Sequence, residues 1–462
     1  MILYNAKIYT NGILRKGALY IEDGIISKIR YDLSPEEVEE FKSQNKDGKE
    51  LDCKSKVILP GIIDIHSHLR DLNQSYKETF ESGTRAAAHS GITTVFTMPN
   101  TDPLAINSQI IQEWINRAKN KVYVNVGFIA GVPNRLNEEE IKKIIKLGVM
   151  GFKIYPHHPI SDLDWKVKGN FKLLLNLSSR HNIRIFIHPD WPLSNQEKRE
   201  IFEEYVFRES NILKTHDKMH PCKSEKKFID YAVENYQEFI NFNNLEEEKY
   251  PSIHFCHISC KESYLLIHSI LKKNPRYKIT YEITPHHLLL SNQLEIENPI
   301  FAKVMPPLRN ENHSQFLYNK FKLGEIMLIG TDHAPHSIEE KTHDFFQAPS
   351  GFPGFETYPL VVLDKVCKYK LSLENFVKIA CEHPADMFNL KGKGFIKEGY
   401  DADLLIVDKV ADHPINIARF KTKAKFSPFE KFNTNLQIWK VFIGGEEVSE
   451  SMNPSGKIIT PQ

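Results

Sequence analysis

The sequence predicts a closed (β/α)8 barrel of the TIM type carrying a small composite β-sandwich domain, and three observations point there. Eight short runs rich in apolar and β-branched residues follow one another between Gly61 and about Asn389: GIIDIH, TTVFTM, VYVNVGF, GFKIY, IRIFIH, SIHFCH, KITYEIT and EIMLIGTD. Helix-length amphipathic stretches separate most of them, which is the texture of parallel βα units, and eight such units suggest a closed barrel. Both ends of the chain read instead as short strands and turns, so they are expected to fold together. At 462 residues the chain can bury one large core and one smaller one.

In chain order, the opening strands are ILYNAKIYT, then ALYIEDGIISKIR with a hairpin signal at Asp23-Gly24, then KVILPG. The polar stretch from Ser34 to Lys49 reads as a surface excursion between two of them. The barrel is expected over 61–390, with a charged, helical excursion around 191–250. After Lys391 the β texture returns in GYDADLLIVD and LQIWKVFIGGEEV. Residues 1–60 and 391–462 are therefore expected to form the composite β-sandwich domain.

Bulk composition narrows the classes of function. Sixty Lys and Arg against 59 Asp and Glu leave no overall basic surface for nucleic acid. No apolar run approaches the ~20 residues that span a bilayer, and MILYNAKIYTNG lacks the apolar core of a secretory leader. A cytoplasmic protein is expected, with no membrane partner. The six cysteines show no regular framework and read as reduced, idle thiols.

Catalytic groups of such a barrel sit at the C-terminal ends of its strands, and five candidate strands end in metal-compatible residues. The first carries His66 and His68, whose spacing of two turns both imidazoles to one side. The eighth ends in Asp332, a carboxylate able to bind metal and move protons. His188 closes IRIFIH and His257 closes SIHFCH, whereas His254, three residues earlier, points to the opposite face and reads as structural. Jointly these positions describe a buried nitrogen and oxygen site suited to zinc. Lys153, in GFKIY, would repel a cation if charged. Desolvated and neutral, it can take up CO₂ as a carbamate, an anion that bridges two metals.

The runs GIIDIHSHLRD, TTVFTMPNTDP, GFKIYP, HFCHIS, EITPHHLLL, KVMPPLRN, GTDHAPH and SGFPGFET resemble the ordered signature of the dihydroorotases, from about Ile58 to Asp408. The resemblance implies two zinc ions, His66 and His68 on one and His188 and His257 on the other. Carboxylated Lys153 would bridge them, and Asp332 would complete the first site and shuttle the proton. It further implies a clamp for a substrate carboxylate at Arg70, assisted by Asn100 and His336, with backbone near Ser350 and Gly351 against the pyrimidine ring. The implied reaction is the reversible cyclisation of carbamoyl aspartate to dihydroorotate in pyrimidine biosynthesis, and the family suggests a homodimer.

Hydantoinases, dihydropyrimidinases and allantoinases share the metal ligands, but their substrates lack the ring carboxylate, and they are not expected to combine HLR, MPNT and DHAPH. A non-catalytic relative would typically have lost metal ligands, and all six stand here. Some positions depart from the family pattern. Pro189-Asp190 follows His188 where a small residue and Glu are usual, and Met305 replaces an Asn or Arg. PHHPISDLDW lacks the lid threonine, for which Ser161 is a substitute. His216, His220 and Cys222, in the excursion, read as surface residues.

Overall fold

The computed structural model describes residues 1–43, 48–208 and 211–461. Seven parallel strands, Ile62–Ser67, Ile92–Thr97, Asn125–Gly131, Gly151–Ile154, Arg184–Ile187, Ser252–Phe255 and Ile279–Tyr281, pair strictly in sequence order. Nearly all of their residues are buried. That explains the near-continuous apolar runs, because helices cover the outer face while side chains fill the interior. The covering helices begin where local signals place them. Thr79 forms a capping box at the head of Phe80–His89, and the Asn107 and Asn137 side chains cap Ser108–Ala118 and Glu138–Lys146.

The eighth run closes the ring without forming a regular strand. EIMLIGTD and the His333 that follows it touch their neighbours through single bridges, Ile329 to Ile283 and His333 to Ser67. A buried carboxylate on the first strand explains the irregularity. Asp64 accepts the Thr331 N–H (3.0 Å) and the Thr331 hydroxyl, which removes a ladder donor, and Asp332 turns to φ +49°. The side chain of Asp332 is thereby aimed across the mouth of the barrel rather than along a ladder.

Strands from both ends of the chain join in one eight-stranded mixed sheet. Val57–Pro60 is the seam, parallel to Ile2–Thr10 on one side and antiparallel to Leu404–Pro414 on the other. Leu3, Ile8, Leu19, Ile58, Leu404 and Phe442 form its core, separate from that of the barrel. The polar stretch after Ser34 holds the helix Pro35–Ser43, and part of it, 44–47, lies outside the described residues.

The excursion contains the helices Asn195–Arg208, Ile212–Met219 and Cys222–Asn243, with residues 209–210 outside the described ones. Its third helix buries Phe228, Ile229 and Tyr236 in the main core. Two sequence expectations are corrected here. His216 and His220 are not surface residues, since this segment folds down over the barrel mouth: His216 is buried with Nε2 2.9 Å from the Val304 carbonyl, and the His220 side chain is only 13% exposed. Nor are all six cysteines idle thiols. The same packing brings Cys222 against Cys260, 38 residues away, in a disulfide, while Cys53, Cys256, Cys367 and Cys381 stay free. No helix among the described residues is long and apolar enough to cross a membrane.

Candidate metal centre

The strand ends converge on a small cavity of about 160 Å³ at the C-terminal mouth of the barrel, lined by His66, His68, His188, His257 and Asp332. A larger groove of about 810 Å³ adjoins the composite sheet, where Lys393 pairs with Asp401 and Asp403. At the mouth, Asp332 Oδ1 lies 3.0 Å from His68 Nε2 and 3.4 Å from His66 Nε2. The ring of His257 stands 5.2 Å from that of His66 and 4.5 Å from that of His188, centre to centre. Ligand atoms of His66, His257 and Asp332 all fall within 4.8 Å of one another. Lys153 is buried behind the lining residues, 1% exposed, with Nζ 2.8 Å from Cys256 Sγ.

Electrostatics prepare these groups for a cation. Burial holds His188 and His257 well below the usual imidazole range and pulls His68 down to about 4, so all three present neutral nitrogen. Burial works against ionisation of Asp332, but His66 and His68 overcome it and keep the carboxyl below its ordinary range. His66 is the exception: it is also desolvated, yet the Glu282 carboxylate bound to its Nδ1 raises it to about 10, so a cation at its Nε2 has to displace a proton. Buried His257 Nδ1 has no hydrogen-bond partner. Neutral imidazoles, a carboxylate and an orphaned buried nitrogen together fit a metal of the zinc type.

Outer contacts fix the orientation of the ligands. Asn100 Oδ1 lies 2.6 Å from His68 Nδ1, which makes Nδ1 the donor and frees Nε2 for the cavity. Glu282 spans His66 and His254, and His254 continues to Thr280 Oγ1 at 3.0 Å. His254 therefore lies behind the ligands. Glu282 and Cys256 form a cluster with His66 that sequence reasoning missed. The available signal was an acidic residue directly after the apolar strand Ile279–Tyr281.

Arg70 lines the same cavity and is 5% exposed. Its guanidinium contacts the Pro335 carbonyl (3.3 Å) and His336 Nε2 (3.2 Å), and no carboxylate among the described residues lies within 4.0 Å of it. Neighbouring Asp71 is occupied elsewhere, accepting from Leu72 N and Phe80 N and pairing with Arg117. His336 sits outside the cavity lining. Its Nε2 lies 3.1 Å from the Ser350 carbonyl and its Nδ1 3.2 Å from Glu340, so it supports Arg70 from behind. Ser350, Gly351 and Met305 complete the wall. Gly351 has φ +126°, and a Cβ there would come within 2.6 Å of the Ala334 carbonyl, so only glycine fits.

A barrel whose strand ends gather histidines, an aspartate and a buried lysine defines the metal-dependent amidohydrolase class. The model of the Amidohydrolase family matches residues 57–448. The chain is 35% identical to the dihydroorotase of Methanosphaera stadtmanae over 433 residues, 93% of this chain and 92% of that one. It is 32% identical to the dihydroorotase of Acetivibrio thermocellus, with 96% of each chain covered. This chain belongs to the dihydroorotase family. Among solved structures, the L-hydantoinase (dihydropyrimidinase) of Arthrobacter aurescens superposes with a TM-score of 0.86 at 23% identity, covering 99% of both chains. Dihydropyrimidinase of Brevibacillus agri gives 0.83 at 20%, over 99% of this chain and 98% of the other. At these identities the likeness concerns the fold.

Proposed function

We propose that the chain interconverts N-carbamoyl-L-aspartate and L-dihydroorotate, with two zinc ions at the barrel mouth. The observation that carries this reading is Arg70, a buried guanidinium on the cavity wall with no carboxylate within 4.0 Å among the described residues. A buried charge without a partner is costly, and a ring carboxylate supplies the partner in a forked, bidentate geometry. Hydantoins and dihydrouracil carry no such group.

In this reading His66, His68, His188, His257 and Asp332 would hold the ions, and Lys153, as a carbamate, would be a further ligand. Bound there, zinc would polarise the amide carbonyl and ease deprotonation of the attacking water. Asp332 is the proton carrier. In the hydrolytic direction it accepts a proton from that water and gives it to the departing ring nitrogen. In the synthetic direction it takes a proton from the carbamoyl nitrogen as that nitrogen attacks the side-chain carboxyl, and water leaves. Arg70 holds the other carboxylate, so the reacting atoms meet in fixed geometry. Asn100 acts through His68, and the Ser350–Gly351 backbone borders the ring.

The sheet memberships support a division into a composite domain of 1–60 and 391–462 and a barrel of 61–390. Family membership supports a cytoplasmic homodimer, which light scattering after gel filtration tests. Substrate choice is tested with dihydroorotate, hydantoin and dihydrouracil on wild type and Arg70→Met. Turnover confined to dihydroorotate, with kcat/KM falling at least 100-fold in the variant, supports the clamp. Equal turnover of rings without a carboxylate, or an unaffected variant, refutes it.

A further inference from the structure

A second cluster of metal-binding side chains lies beside the cavity, built from residues that the binuclear centre does not use. His157 follows the strand Gly151–Ile154 by three residues, Asp190 follows Arg184–Ile187 by three, and His220 caps the C-terminal end of the excursion helix Ile212–Met219. We propose that His157, Asp190 and His220 bind a third divalent ion of the zinc class, which fastens the helical excursion to the mouth of the barrel.

Geometry, burial and charge each support the site. Asp190 Oδ2 lies 3.4 Å from His220 Nδ1 and 4.0 Å from His157 Nδ1, and the three ligand atoms fall within 4.8 Å of one another. Tetrahedral zinc with bonds of about 2.0–2.1 Å places its ligand atoms roughly 3.4 Å apart, so small side-chain rotations close the shell. The side chains of His157, Asp190 and His220 are 5%, 8% and 13% exposed. His157 Nδ1 is buried and has no hydrogen-bond partner. The Asp190 carboxylate has no lysine or arginine within 4.0 Å among the described residues; only the two imidazoles reach it. A buried carboxylate facing two imidazoles is the setting in which a divalent ion supplies the missing positive charge. Two nitrogens and one oxygen suit zinc and leave a fourth position for water.

The three ligands come from three separate stretches of chain. One of them, Asp190, stands two residues beyond His188, and His157 lines the cavity. An ion here would hold the excursion down against the cavity wall. The nearby group Cys222, Cys260 and His313 offers no comparable site, since its two sulfurs are bonded to each other.

The test is a zinc count by elemental analysis on full-length protein saturated with zinc and then desalted. Wild type should hold one more ion per chain than His157→Ala/His220→Ala, and His158→Ala, which removes a neighbouring imidazole outside the cluster, should match wild type. Lys153→Ala, aimed at the other centre, should leave the third ion in place. An equal count in wild type and the double variant overturns the proposal, whatever the total at the binuclear centre. Anomalous scattering from zinc-loaded crystals of the unmodified protein answers the same question without a substitution. A peak between the three side chains supports the site, and peaks only around His66, His68, His188 and His257 overturn it.

Discussion

Asp64 is the residue whose removal most directly tests how the eighth run is held. Its carboxylate is fully buried and accepts from Thr331 N at 3.0 Å, from the Thr331 hydroxyl, and from His66 N at 3.2 Å. Asp64→Ala strands the Thr331 and His66 N–H groups in an apolar interior and leaves the Thr331 hydroxyl only the His66 carbonyl, 3.3 Å away. At about 1–3 kcal/mol for each stranded group, partly relieved by relaxation, the loss should be about 3–5 kcal/mol. Asp64→Asn keeps one acceptor oxygen but points an amide N–H₂ at a donor, and should cost about 1–2 kcal/mol. With an unfolding entropy of about 2.1 cal/mol/K per residue, 462 residues give about 1 kcal/mol/K. Asp64→Ala should therefore lower Tm by about 3–5 °C in scanning calorimetry, and Asp64→Asn by about 1–2 °C. The alanine variant should also bind zinc more weakly, because Thr331 positions Asp332. A Tm within 1 °C of wild type would refute this account of the closure.

Three further outcomes follow from the geometry. Asn100→Ala should weaken zinc binding by about 10- to 100-fold in a chelator competition, because His68 loses the contact that sets its tautomer; an unchanged affinity would assign Asn100 to substrate alone. Glu282→Gln should weaken it by a similar factor through His66, with little change in Tm beyond about 2 °C. Lys341 concerns pH: it is fully buried, donates to the Pro349 carbonyl at 2.7 Å, and burial pulls it down to about 7 from its ordinary 10.5. Between those values the unfolded chain binds the extra proton. This group's contribution is thus full above pH 10.5 and is lost as pH falls through 7, with a slope of up to about 1.4 kcal/mol per pH unit. The Tm of wild type relative to Lys341→Met should rise by about 2–3 °C from pH 7.5 to 9.5, and a constant difference would contradict the assignment.

Much of the barrel was legible because its strands are buried on both faces and so appear as apolar, β-branched runs. Seven of the eight runs form regular strands, although Asn125–Gly131 starts three residues later than VYVNVGF implies. The eighth escaped a strand-based reading because a side chain of the first strand, Asp64, replaces its ladder partner, and nothing in EIMLIGTD records that. The candidate ligands could be located since strand ends in this fold share one mouth. What sits behind them could not. Glu282 and Cys256 take their meaning from His66 and Lys153, far away in sequence. The excursion was the least legible part, because charged residues are usually solvated. His216 is buried, and His220 and Cys222 half-buried, in a segment that Phe228, Ile229 and Tyr236 anchor in the core.

The central claim is tested most directly by following ring absorbance as purified, zinc-supplied protein is given dihydroorotate in one experiment and carbamoyl aspartate in another. Turnover in both directions, abolished in Asp332→Ala while the protein stays folded, is the result predicted. Absence of turnover in wild type that holds its metals would contradict it and shift attention to another cyclic amide.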